Sequence, residues 1–358
     1  MENKHKIFIT GGAGYIGAMI ARSFATKDSI SEILCLDKEP KPELLDGIAK
    51  IKFIQANLGD NNWQEEVKKF SPDIIINTAW QIREMYGKKA LQWKWNVTGS
   101  DNVFDLAFSI PSVKKLIHFS TVASYAAYPE NTLEHKFTED ESFRESDYLY
   151  AIEKKVSEDH LKEKFDLAKD NGFVPQVFIV RPAAITGPRG RYMRVRFGLQ
   201  SALSGQLNKS KNFFYRLVSL LTSFVPATPK WCRQFIHEDD VNDIIELLAI
   251  NDLKGEYEVF NICPPGDPVL ADDMAKAVGK KVLRVSPQLI RFMFFIMRNI
   301  SFGVIPTSVG GWKSYSYPIV VDGSKLTRMY GYQYKYSSKD AFVKKEGRYM
   351  KFVNEDRV

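Results

Sequence analysis

Tyr150 and Lys154 stand four residues apart in the run Tyr150-Ala-Ile-Glu-Lys154. On a helix that spacing puts both side chains on one face. A phenol with a pKa near ~10 is a poor base at neutral pH, and a nearby positive charge lowers that value. Such a tyrosine can take the proton of a substrate hydroxyl while hydride leaves the same carbon. The spacing alone is weak, because 16 tyrosines make about one such pair by chance. Placement strengthens it. An apolar run, Lys115–Ser120, ends in Ser120-Thr121 just upstream, and a Thr121 hydroxyl there can bond the same substrate oxygen.

A hydride needs an acceptor, and the N-terminal residues suggest one. The run Lys6–Thr10 leads into Gly11-Gly12-Ala13-Gly14-Tyr15-Ile16-Gly17. Gly11 permits a tight turn, Gly14 a close approach of backbone to a pyrophosphate, and Gly17 the packing of helix on strand. The helix that follows offers free N–H groups and positive potential to phosphates. Asp37 lies 20 residues beyond Gly17, at the end of the next strand-like run. A carboxylate there accepts hydrogen bonds from a ribose and repels a 2′-phosphate, which favours NAD over NADP. Lys38 is the one neighbour that could instead pair with that phosphate.

The elements that must position these residues alternate. Strands are expected at Lys6–Thr10, Glu32–Asp37, Ile51–Gln55, Asp73–Ala79, Lys115–Ser120 and Gln176–Arg181, and helices at Tyr15–Thr26, Trp63–Phe70, Asn96–Phe108 and Leu149–Lys164. That rhythm predicts an α/β fold, a Rossmann-type, doubly wound parallel sheet. After Pro182 the rhythm breaks. Residues 183–232 are rich in Gly, Pro and Arg, with an apolar stretch Phe213–Val225 and a basic run Arg189, Arg191, Arg194 and Arg196. A helix is expected from Asp239-Asp240 to Ala249 and a strand at Val259–Ile262. Residues 1–182, completed by about 233–262, would form the NAD-binding domain. Residues 183–232 and 263–358 would form a smaller, mixed substrate-binding region over the carboxyl edge of the sheet, where ligands bind in such folds.

Read in order, the chain resembles the extended short-chain dehydrogenase/reductases, which include sugar-nucleotide epimerases and dehydratases and the 3β-hydroxysteroid dehydrogenases. The resemblance covers roughly residues 6–343. It rests on TGGAGYIG (10–17), Asp37, Asn57-Leu58, NTA (77–79), Asn96, HFSTVASYA (118–126), YAIEK (150–154), RPAAITGP (181–188), RQFIHEDDV (233–241) and the stretch 321–342. It implies NAD as cofactor, with Gly11, Gly14, Tyr15, Ile16 and Gly17 at the pyrophosphate and Asp37 on the ribose. Asn57 and Leu58 would flank the adenine, and Ala79, Asn96 and Pro182 would line the cofactor. Thr121, Tyr150 and Lys154 would be catalytic, with Lys154 also on the nicotinamide ribose. Thr121 and Arg233 would meet substrate, Arg233 at a diphosphate.

Three departures refine that implication. Val122 and Ala123 follow Thr121 where 4,6-dehydratases of the group carry an acidic pair, and apolar side chains cannot protonate a leaving hydroxyl. Ala183 and Ala184 replace a usual asparagine, and Asn57 a usual aspartate. The leading expectation is an NAD-dependent 4-epimerase acting on a sugar nucleotide through a keto intermediate. The alternative is one-way oxidation or reduction of an apolar alcohol or ketone, as in the hydroxysteroid branch. In that case Arg233 would face a structural partner, such as a carboxylate of the helix that follows it.

Composition narrows the classes further. The chain has 358 residues, 44% hydrophobic and 26% charged, an ordinary globular mixture. Its net charge of +7 is mild for that length, and no nucleic-acid module or basic-aromatic stripe is present. Cys35, Cys232 and Cys263 lie far apart, as expected of a reducing, cytoplasmic setting. The five histidines lack ligand spacing, so no metal is expected. Met1–Lys6 is polar, so no signal peptide is expected. Leu289–Pro306 is the most apolar tract, but Arg291, Arg298 and Asn299 interrupt it, which excludes a membrane span and leaves a buried or interfacial helix. A homodimer is left open.

Overall fold

The computed structural model describes residues 4–172, 174–190, 224–277, 279–302, 307–344 and 346–352. Its centre is strand β1 (His5–Thr10), whose last four residues are buried. Parallel neighbours flank it on both sides, β2 (Ile30–Asp37) and β4 (Ile74–Asn77). Strands buried on both faces need apolar residues without a break, which is why IFI and IIIN read as continuous runs. The sheet extends outward through β3 (Ile51–Gln55) on one side and through β5 (Lys115–Phe119), β6 (Gln176–Pro182) and β7 (Tyr257–Ile262) on the other. The seven strands take the order β7-β6-β5-β4-β1-β2-β3, all parallel. The chain reverses direction across the sheet between β1 and β4, and ligand crevices open at such a switch point.

Alternate residues of each strand feed opposite cores. Ile7, Ile9, Ile117 and Phe178 pack with helix α1 (Tyr15–Ala25) and the helix Glu238–Ile250. Phe8, Ile75, Leu116 and Ile179 pack with Trp63, Phe104 and the long helix α5 (Leu149–Asp170). A third cluster lies in the C-terminal region, built from Val225, Trp231, Phe235, Val269, Ile290 and Tyr315. Short strand pairs frame it: Ala184–Thr186 with Phe235–His237, Cys232–Arg233 with Val269–Leu270, and Phe224–Ala227 with Lys281–Arg284.

Several boundaries differ from the sequence expectation. The helix expected at Asn96–Phe108 starts at Lys89 and runs through a π turn, Lys94–Thr98, into Gly99–Ser109. The C-terminal region is more regular than its composition suggests. Ser286 caps the helix Pro287–Ile300 by accepting from Leu289 N, and Pro287 starts it. Most of Phe213–Val225 and the arginines 191, 194 and 196 lie outside the described residues.

One buried ion pair fixes α5 to the sheet. Arg181, at the end of β6, bonds Glu158 on α5 through Nη2 at 2.6 Å and Nε at 3.1 Å, and donates to the Tyr125 hydroxyl at 2.8 Å. Removing one partner of such a pair leaves the other charge buried alone. Glu158→Gln is therefore expected to cost about 3–5 kcal/mol of folding stability. Urea unfolding measures it, and a loss under about 1 kcal/mol, the size of an exposed pair, would show that α5 is anchored by other contacts.

Candidate functional site

The glycine loop joins β1 to α1 at the switch point. Gly11 has φ of +73°, and a Cβ there would lie 2.7 Å from Thr78 Oγ1 and 2.8 Å from Ala79 N. A Cβ on Gly17 would lie 2.2 Å from the Gly11 carbonyl oxygen. Among the described residues and beyond its chain neighbours, a Cβ on Gly14 would meet only Gly11, its carbonyl oxygen at 3.0 Å. The residue before α1 gives no side-chain cap and the first turn of α1 holds no acid, which turns the positive end of the helix toward the loop. This cradle fits a dinucleotide diphosphate. Ile16 is partly buried behind it. The phenol of Tyr15 points elsewhere, donating to Glu238, whose carboxylate also accepts Arg189 N at 3.1 Å and Gly190 N at 2.9 Å.

Asp37 sits at the rim of the loop. Its Oδ2 accepts from Ala13 N and its Oδ1 from Glu39 N, each at 3.0 Å. Burial pushes its pKa up, against these bonds. Lys38 is already engaged, paired with Glu39 and 5.0 Å above the Trp95 ring. The rim therefore offers a 2′-phosphate a carboxylate and an occupied lysine. NADP is expected to bind at least about tenfold more weakly than NAD, a difference of about 1.4 kcal/mol, and Asp37→Ser should narrow the gap. Equal affinities in titration calorimetry would refute this.

The remaining residues expected at the cofactor divide in two. Leu58 is buried, Ala79 N lies 3.3 Å from Thr10 Oγ1, and Pro182 closes β6. Asn57 and Asn96 spend their side chains on protein. Asn57 Oδ1 accepts from Gly59 N at 2.9 Å. Asn96 accepts from Gln81 N at 2.7 Å and donates to Gln81 O and to Glu153 Oε2. Asn96, within the π turn, thus braces the pocket wall.

Thr121, Tyr150 and Lys154 converge beyond β5. Thr121 caps a short turn, Val122–Tyr125, its hydroxyl accepting from Ala123 N at 3.2 Å. Tyr150 keeps some solvent contact, but the protein packed around it pushes its phenol upward, the Thr121 side chain opposing and Tyr148 adding. The Lys154 ammonium has partners the sequence did not indicate. Its ammonium is buried, donates to the Phe119 carbonyl and lies 3.5 Å from the Trp80 ring centroid. A desolvated cation takes the nearest carbonyl and π face, and burial holds its pKa well below the usual lysine range. Trp80 and Glu153 therefore belong to this site, although the sequence analysis did not single them out. Glu153 sits inside the YAIEK run, where it looks like an ordinary helix acid. Trp80 Nε1, Ser120 Oγ and Glu153 Oε1 are buried and, among the described residues, have no hydrogen-bond partner.

Arg233 reaches the same place from the strand Cys232–Arg233. Its charge acts on Tyr148, whose ring centroid is 5.7 Å from that of Tyr150. It keeps some solvent contact, yet dense surrounding protein lowers its pKa. Its hydrogen bond is a long one, 3.5 Å from Nη2 to Ser314 O. No described carboxylate pairs with it. The acids of the following helix are taken: Glu238 by Tyr15, Asp239 by Arg348 N, and Asp240 by Tyr332 and Lys335 N. Among the described residues Arg233 therefore has no carboxylate of that helix as partner, and its hydrogen bond goes to the Ser314 carbonyl.

Comparison with known proteins places this arrangement among relatives. The model of the NAD dependent epimerase/dehydratase family matches residues 7–263. A 3 beta-hydroxysteroid dehydrogenase/Delta 5-->4-isomerase of Vaccinia virus is 23% identical over 216 residues, 59% of this chain and 59% of that protein. The match therefore spans less than two thirds of that relative. The Bordetella bronchiseptica enzyme WbmG, solved with NAD and UDP, superposes with a TM-score of 0.70 at 22% identity, covering 99% of this chain and 97% of that one. UDP-glucose 4-epimerase from Thermotoga maritima, solved with UDP-glucose, gives 0.67 at 20% identity, with 94% and 96% covered. At these identities the two structures establish the shared fold.

Proposed function

Because the chain belongs to the NAD-dependent epimerase/dehydratase family, we propose that it oxidises a secondary hydroxyl of a nucleotide-linked sugar and returns hydride to the opposite face, as a 4-epimerase. The observation that carries this reading is Arg233, a desolvated guanidinium beside Tyr148 that no described carboxylate neutralises. A diphosphate would complete it with charge-assisted hydrogen bonds.

NAD, when bound, would supply the hydride acceptor. Tyr150 would take the substrate proton at its oxygen as the carbon is oxidised, and Thr121 would hold that substrate oxygen. After the keto sugar turns over, Tyr150 would give the proton back to the re-formed hydroxyl. Lys154, which donates to the Phe119 carbonyl, would hold the cofactor ribose. Val122 and Ala123 supply no acid to expel a hydroxyl, which supports epimerisation over 4,6-dehydration.

The test is incubation with NAD and UDP-glucose, followed by NMR for the C4-inverted sugar. Inverted product without net NADH supports the proposal, and NADH rising in step with product replaces epimerisation by one-way oxidation. The hydroxysteroid relative favours a second reading, one-way redox of an apolar alcohol. Mass spectrometry of ligands retained on purification separates the two, a nucleotide sugar supporting the first and a lipid the second.

A further inference from the structure

The helix Pro287–Ile300 buries Ile290 and turns a hydrophobic side to water. Leu289 is 45% exposed, Phe292 58%, Phe295 66%, Ile300 75% and Phe302, just past its end, 75%. Phe292 and Phe295 lie opposite the buried Ile290, at the crest of the helix. Phe302 meets Tyr86 edge-on, with ring centroids 6.2 Å apart, so the patch continues beyond the helix. Along one flank runs a groove of about 280 Å³ lined by Arg291, Phe294, Arg298, Trp312 and Lys313 among others. Arg298 is paired with Glu84 and Lys313 with Asp147. Arg291 has no ion pair among the described residues and lies 5.6 Å over the Trp312 ring.

Charge says what such a face can meet. Residues 274–321 contain seven Lys or Arg and no Asp or Glu. Residues 183–237 contain nine and again no acid. The rest of the chain holds 34 of the 50 basic residues and all 43 acidic ones, so it is net negative by nine. The small net charge therefore hides strong polarity along the sequence, with the exposed aromatic face inside an acid-free tract.

We infer that the helix Pro287–Ile300 seats this protein on an anionic lipid surface, its phenylalanines entering the acyl boundary and its basic flank meeting headgroups. Amphipathic interfacial helices combine these two features. At 14 residues the helix is about 21 Å long, too short for a hydrocarbon core of about 30 Å, so it lies in the interface plane. No described helix is long and apolar enough to cross a membrane. A second copy of the chain suits this face poorly. A two-fold interface would set the unpaired Arg291 close to its own copy.

The test is co-sedimentation of the full chain with vesicles of phosphatidylcholine alone or mixed with phosphatidylglycerol. The expected result is at least about tenfold more binding to the anionic vesicles, falling severalfold in high salt as the charges are screened. Phe292→Ser/Phe295→Ser should lose about tenfold or more of that binding while keeping NAD affinity and molecular mass. Equal binding to both vesicles, or undiminished binding by the double variant, overturns the inference. So does a halved mass of the variant in light scattering, which would assign the face to a second copy. These readouts involve no turnover, so they stand or fall apart from the catalytic reading.

Discussion

Tyr150→Phe is expected to lower turnover by about 10²–10⁴-fold, the contribution of a positioned acid or base. The ring stays and only the hydroxyl goes. Losing one hydroxyl removes at most one hydrogen bond, worth about 0.5–1.5 kcal/mol, so folding stability should fall by no more than that. NAD affinity should hold, because the cradle at Gly11, Gly14 and Gly17 and the rim at Asp37 lie on other elements. The structure adds a pH dependence. Burial raises the Tyr150 pKa, and the Lys154 ammonium is turned to the Phe119 carbonyl. The phenol is therefore the protonated form at neutral pH before cofactor binds. Oxidation needs the unprotonated oxygen and should accelerate as pH rises, and reduction needs the proton and should not. Steady-state rates in both directions across pH, with calorimetry for NAD, check all three statements. A Tyr150→Phe enzyme with near-normal rates would mean that another group moves the proton.

The parts of this site that were legible in the sequence are those fixed by backbone geometry. A glycine loop after a buried strand can be read because only glycine tolerates the contact with Thr78 and Ala79. Asp37 can be read because it ends β2, and the strand rhythm locates β2. The pair Tyr150 and Lys154 was placed on the right helix, but what its members touch was not legible. The position of the Lys154 ammonium depends on Trp80 and Phe119, 74 and 35 residues earlier in the chain. Glu153 and Asn96 meet across 57 residues of sequence, and no local pattern records that contact. The helix Pro287–Ile300 illustrates the opposite failure. The residue types of its tract bear on whether it could span a membrane and not on how it packs. Which side of the helix faces water depends on a third core that short, irregular strands assemble.

Arg233→Ala separates the two functional readings. Placing a guanidinium in dense protein without a carboxylate carries a desolvation cost, which the lowered pKa of Arg233 reflects. A substrate diphosphate would offset that cost with bonds worth about 1.5–3 kcal/mol. Losing them should weaken nucleotide-sugar binding by about tenfold to a hundredfold, with NAD binding unchanged. Lysine should restore only part of it, since an ammonium lacks the planar fork. Stability should move the other way. Removing a cation whose hydrogen bond to protein is a long one to Ser314 O relieves a penalty, so the melting temperature should stay level or rise slightly. The residue keeps some solvent contact, which limits that gain. Under the apolar-alcohol reading Arg233 has no anion to meet, and Arg233→Ala should leave substrate affinity as it was. Melting temperature and substrate affinity measured on one variant therefore decide the question. Affinity lost with stability kept supports a diphosphate ligand, and affinity kept removes the observation on which the sugar-nucleotide reading stands.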